Sequence, residues 1–216
     1  MFETALSFND IIFLLKGAGV TLLVTFWAMA GGTLMGVVFG TIRATAPRWV
    51  GWPLAFVLDI FRSVPLLIQL ILANAFQAIA GLQMSAFVVS CVVLALYTSS
   101  YCSEIVRGGI DAVPVTTRRA ARSLGMTWGQ DMREIVFPLA LRVMLPSWIG
   151  LTLGVMKDTA LITWLGIIEL LRSSQIIVTR IQEPLFVLSI AGLIYFLMSF
   201  PISRLGRHLE KKWQDL

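Results

Sequence analysis

Charge is what this sequence has least of. Only 13% of its residues are Asp, Glu, Lys or Arg, against 57% hydrophobic, and no charged residue occurs from Gly17 to Ile42 or from Ser63 to Ser103. A soluble domain carries about 25% charged residues, so this composition excludes one. Each uncharged interval can cross a hydrocarbon core of about 30 Å at about 1.5 Å per residue, and Ala80-Gly81-Leu82-Gln83 divides the second into two pieces. Histidine is nearly absent: His208 is the single one, in a basic tail with no neighbouring ligand, which gives no metal centre. The sequence has no Gly-x-x-x-x-Gly-Lys-Ser/Thr, so no nucleotide is expected on a phosphate-binding loop of this chain. No nucleophile, acid and base fall at a spacing that suggests catalysis. Of the two cysteines, Cys91 and Cys102 lie on one expected helix about 16 Å apart along its axis, too far to pair, and read as small embedded apolar residues.

What charge there is has a side. The net charge is +5, yet the basic residues are scattered over short loops and the aromatics lie inside apolar runs, so nucleic acid is not the expected partner. Twelve Lys and Arg fall in the loop after the first span, in the stretch from Arg107 to Arg142 and in the tail, whereas the opposite side has only Lys16, Arg172 and Arg180. This bias supports an all-α membrane protein of about five spans, N-terminus outside and C-terminus cytoplasmic. The start Met-Phe-Glu-Thr does not resemble a cleaved signal, so the first span is expected to stay.

In order along the chain, residues 1–15 read as an interfacial segment, 16–206 as the transmembrane domain including a cytoplasmic loop at 108–142, and 207–216 as a basic tail. The first span runs from about Lys16 to Ile42, with a stripe of Gly32, Gly36 and Gly40 that suits close helix contact, either inside the chain or with a second copy. Arg43 to Trp52 is a loop. Pro53 to Ile79 is a second stretch with a kink expected near Ser63, because Pro65 follows. The third span is Ser85 to Arg107. The fourth runs from Leu145 to Ile168 with Pro146 in its first turn, Glu169 to Glu183 is a polar connector, and the fifth is Pro184 to Ser203.

The one long polar interval, Arg118 to Pro138, reads as a helix ended by Gly125 in the left-handed conformation and a second helix capped by Thr127. Such a knob on the cytoplasmic side is a handle for another protein. Within it, Arg119-Ala120-Ala121, Gly125, Ile135 and Pro138 resemble the signature loop of ABC importer permeases: Glu-Ala-Ala, three residues, Gly, nine residues, Ile, one residue, Leu-Pro. Phe61 to Gln69, Tyr101 to Pro114 with Glu104 and Arg107-Gly108-Gly109-Ile110, and Lys157-Asp158-Thr159-Ala160-Leu161 resemble the polar amino-acid subfamily, and together the likeness covers about residues 15–205. Arg119 departs from the acidic residue, Phe137 from the leucine, and Thr116-Thr117 from the usual Gly-Gln.

The resemblance implies a type I ABC importer permease fold in a bacterial inner (plasma) membrane, translocating a polar amino acid. It implies as partners a second permease subunit, identical or paralogous, two ATP-binding subunits and an extracytoplasmic amino-acid-binding protein, with no cofactor on this chain and ATP and Mg on the ATPases. The ATPase-coupling residues would be Arg119, Ala120, Ala121, Leu124, Gly125, Ile135 and Pro138. Charges inside the spans, each costing about 2.5 to 3.5 kcal/mol at a helix centre, mark the candidates for the substrate pathway: Lys157, Asp158, Thr159, Glu104 and Arg62. Interior ion pairs would explain the same residues, with Glu104 paired to Arg62 or Arg107. A secondary transporter or channel using Lys157 and Asp158 as an ion relay is the alternative function.

Overall fold

The computed structural model describes residues 6–214, and among them every regular element is helical. Helix α1 (Phe8–Thr45) begins at a capping box, in which the Ser7 amide and hydroxyl both meet the Asp10 carboxylate, at 2.8 and 3.0 Å. Arg180 also reaches that carboxylate, at 2.5 Å. The expected boundary at Lys16 is therefore corrected: Lys16 lies on the exposed side of an unbroken helix and its charge interrupts nothing. Residues 1–5 of the expected interfacial segment lie outside the described residues.

Gly32, Gly36 and Gly40 seat α1 on α4 (Ala86–Asp111). A Cβ on each would come within 2.5 to 2.6 Å of Thr98 Cβ, Cys102 Cβ and the Ser103 carbonyl oxygen, so only glycine permits this approach. The stripe is thus a seam inside the chain. Because the matched positions rise together, α1 and α4 run parallel, and the chain must return between them.

That return is made by α2 (Arg48–Ser63) and α3 (Leu66–Ile79), bent by 103° at Ser63 to Pro65. The expected kink is a corner. Pro65 forces the residue before it into extended backbone, and Val64 has φ −82° and ψ 130°. Gln69 closes the corner by donating to the carbonyls of Phe61 and Val64, at 2.8 and 2.7 Å. Along α2, Trp49, Trp52, Phe56 and Ile60 form one exposed stripe, suited to an interface. In α3, Leu66 and Leu70 turn inward to Val89, Val93, Val155 and Ile162. Four helices are long and apolar enough to cross a membrane and the bent pair supplies a fifth crossing, which the parallel seam requires.

After α5 (Val115–Ser123), a single rod runs from Trp128 to Leu165. It consists of a first turn, α6 (Trp128–Gln130), a π-helical stretch (Asp131–Val136), α7 (Phe137–Asp158) and a 3-10 stretch (Thr159–Leu165) ended by Gly166 at φ 82°. The expected start of a span at Leu145 is corrected, since Pro146 lies in the helix interior. It deprives one carbonyl of a partner without stopping the helix. The wide turn ends where Phe137 donates to Met132 five residues back, just before Pro138, and widening relieves the clash a proline ring makes with the turn before it.

The expected polar connector contains α8 (Leu170–Ile181), and α9 (Pro184–Gln214) continues well past Ser203, packing Gly206 on Ile149. The basic tail is the helical end of the fifth span as far as Gln214.

Candidate functional site: the polar knob and the charges within the spans

At the knob, α5 ends in a Schellman motif. Gly125, at φ 86°, donates to the Arg122 carbonyl at 3.0 Å and Met126 donates to that of Ala121 at 3.3 Å. Thr127 then opens the rod with a capping box, its amide donating to Gln130 Oε1 at 2.8 Å. Both features agree with the sequence reading. Ala121 is buried at the base of α5, while Arg119, Ala120, Leu124 and Pro138 are exposed and Ile135 is half-buried. Met132, Val136 and Ala140 pack on Cys102, Val106 and Ile110, so the root of the rod is bound to α4.

Asp131 holds the two halves of the knob together. It is fully buried, and its Oδ2 lies 3.4 Å from Arg118 Nε and 3.8 Å from Arg122 Nε. These arginines are four residues apart and share the side of α5 that reaches Asp131, although Arg122 stays half exposed, and Arg119 projects to solvent.

A second charged cluster joins α1, α2 and α4 at the same end of the molecule. Glu104 receives Arg43 at 2.6 Å, Arg62 at 2.9 Å and Arg107 at 2.9 Å, and Asp59 and Asp111 pair in addition with Arg62 and Arg107. The expected pair of Glu104 with Arg62 or Arg107 is found with both. Arg43 was missed because it read as a loop residue. Its signal was present, since Arg43 follows Gly36 and Gly40 at helical spacing and so faces α4 with them.

Lys157 and Asp158 close α7 toward the far end of the rod, and Thr159 begins the 3-10 turn. Lys157 is exposed, Asp158 half-buried, and neither forms an ion pair among the described residues. Adjacent on a helix, they point about 100° apart. Thr159 is fully buried and donates to the Met156 carbonyl at 2.8 Å. The structure does not bring them together with Glu104 or Arg62, which lie with Arg43 and Arg107 nearer the knob.

Glu169 was not singled out in the sequence. It is fully buried, caps α8 by accepting from the Leu171 and Arg172 amides at 2.8 and 2.7 Å, and receives the Tyr195 hydroxyl at 3.1 Å. One carboxylate thus joins α8 and α9, and Thr21 of α1 reaches it at 3.5 Å.

The chain is similar in sequence to known permeases and in fold to a solved transporter. A putative glutamine transport system permease of Rickettsia felis is 31% identical over 98% of this chain and 98% of its own length. A probable amino-acid ABC transporter permease of Sinorhizobium fredii is 30% identical over 96% of this chain and 90% of its own. A crystal structure of an amino acid ABC transporter with histidines superposes with a TM-score of 0.85 at 29% identity, covering 97% of this chain and all of that one. Residues 32–215 match the family described as binding-protein-dependent transport system inner membrane component, and the chain belongs to that family.

Proposed function

We propose that this chain is the permease subunit of an ATP-driven importer that carries a polar amino acid across a bacterial inner membrane. It works beside a second permease, identical or paralogous, with two ATPase subunits that bind ATP and Mg on the inside and a substrate-binding protein outside. The N-terminus is outside and the C-terminus cytoplasmic, which puts the knob on the ATPase side. Lys157 and Asp158 face the pathway, Thr159 is buried behind them and holds the turn that follows rather than meeting substrate, and Glu104 and Arg62 lie toward the inner end, where their ion pairs join three helices.

The observation that carries this reading is the rod from Trp128 to Leu165, which runs without a break from the knob to Lys157 and Asp158. A tilt imposed at Arg119, Ala120, Ala121, Leu124 and Gly125 passes along it, through Ile135 and Pro138, to the charges inside the span. Substrate preference follows from which of the adjacent charges meets the ligand.

Uptake into proteoliposomes holding the chain with its copurified partners, with and without internal ATP, tests the proposal. Uptake only with ATP is expected. ATP-independent uptake driven by an ion gradient would favour the relay reading of Lys157 and Asp158. Gly125→Val tests the coupling role separately. A Cβ at Gly125 meets no atom within 4 Å, so only its left-handed backbone opposes the change, at a cost of about 1 kcal/mol or more. The variant is expected in the membrane with less ATPase bound, or with hydrolysis uncoupled from uptake. Parental binding and transport would remove the knob from the mechanism.

A further inference from the structure

We propose that the docking surface of this chain recognises an acidic groove on its ATPase, with Arg119 as the residue that sets partner choice. This rests on the knob being the ATPase contact and adds the charge of the surface it meets. Between Arg107 and Arg142 the chain has six arginines and three carboxylates, Asp111, Asp131 and Glu134. Asp111 is taken by Arg107, at 3.1 Å, and Glu134 by Arg133, at 3.4 Å. Asp131 is the one carboxylate left for the three arginines of α5, and it is buried against Arg118 and Arg122. Two positive charges on α5 therefore have no counter-charge within the knob.

Arg119 is exposed and makes no ion pair among the described residues. With Val115, Arg118, Arg122 and Ser123 it lines a shallow groove along α5, and that helix has no acidic residue. Around it stand Val115, Leu124 and Trp128, exposed by 61, 85 and 50%. Arginine and tryptophan beside exposed aliphatic side chains make a patch of interface composition on the most polar part of the chain. Closing a protein surface over this patch removes water from an excess of positive charge, which is tolerated only if the partner supplies carboxylates. A basic or neutral groove would be rejected by like charge or by unpaired burial.

The test uses the full chain coexpressed with the ATPase that copurifies with it. Arg119→Glu is expected to leave the amount of permease in the membrane unchanged and to lower copurified ATPase about tenfold at low salt, while Arg119→Lys keeps most of it. Replacing one groove carboxylate of the ATPase by Lys should restore binding to the Arg119→Glu chain and weaken it to the parental one. If Arg119→Glu binds ATPase at the parental level at every salt concentration while Gly125→Val does not, docking stands and the acidic groove is refuted. If neither variant loses ATPase, docking itself fails and this inference falls with it. Loss of Arg119→Glu from the membrane fraction with undiminished ATPase per permease would assign the patch to anionic lipid instead and overturn the proposal.

Discussion

At the scale of single residues, the sequence reading was best where a side chain or its absence acts locally. Gly125 and Thr127 were legible because a left-handed turn and a helix cap are decided within four positions. Glu169 was not, because the Thr21 that meets it is 148 positions away and a glutamate in a polar stretch looks solvated. Lys157 and Asp158 were legible as anomalies of charge in an apolar run, but their surroundings were not: interior ion pairs were one expectation for them, and neither has an ion pair among the described residues. Exposed and without an ion pair among the described residues, Lys157 has a desolvation cost to offset in the membrane, which a pathway or a substrate group would supply. Lys157→Ala and Asp158→Ala are therefore expected to lower transport per assembled complex more than they lower assembly. Parental transport by both would leave these residues a structural role only.

At the scale of elements, the number and order of spans were readable from uncharged length, whereas their ends were not. Lys16, Pro146 and Arg204 each looked like an edge, and each lies inside a helix. A charge can point outward from a continuing helix, and an interior proline such as Pro146 costs a hydrogen bond without ending the helix. The glycine stripe was legible as a contact, and only the structure shows its partner to be α4. Gly36→Leu should cost about 1 to 3 kcal/mol or more, because the new side chain meets Cys102 side chain and backbone, the latter at 3.2 Å from the Cβ alone. Gly19→Leu, where a Cβ meets nothing within 4 Å, is the matched control. Thermal unfolding in detergent should fall for the first variant and stay near the parental value for the second.

At the scale of the whole molecule, the parallel seam fixes the parity of the path. In the proposed topology an odd number of crossings puts the described ends of the chain on opposite faces, and the bias of Lys and Arg argues for the knob on the inside. With Cys91 and Cys102 replaced, an impermeant thiol reagent should label Gln175→Cys in intact cells and Gln130→Cys only after permeabilisation. Labelling of Gln130→Cys from outside would invert the topology. The 103° corner between α2 and α3 was beyond the sequence, which showed a proline and so a bend but not its angle. That angle depends on Gln69 reaching back across the corner and on Arg62 joining the carboxylate that also holds Arg43.

The wide turn at Asp131 to Val136 has one more consequence, in the phase of the rod. A π-turn lodges an additional residue in a helix, and one residue is worth about 100° of rotation. The face that Lys157 and Asp158 present relative to Thr127 is thus set by a local winding number. Taking up or releasing that slack would turn the whole inner span about its own axis while the knob and its caps kept their shape.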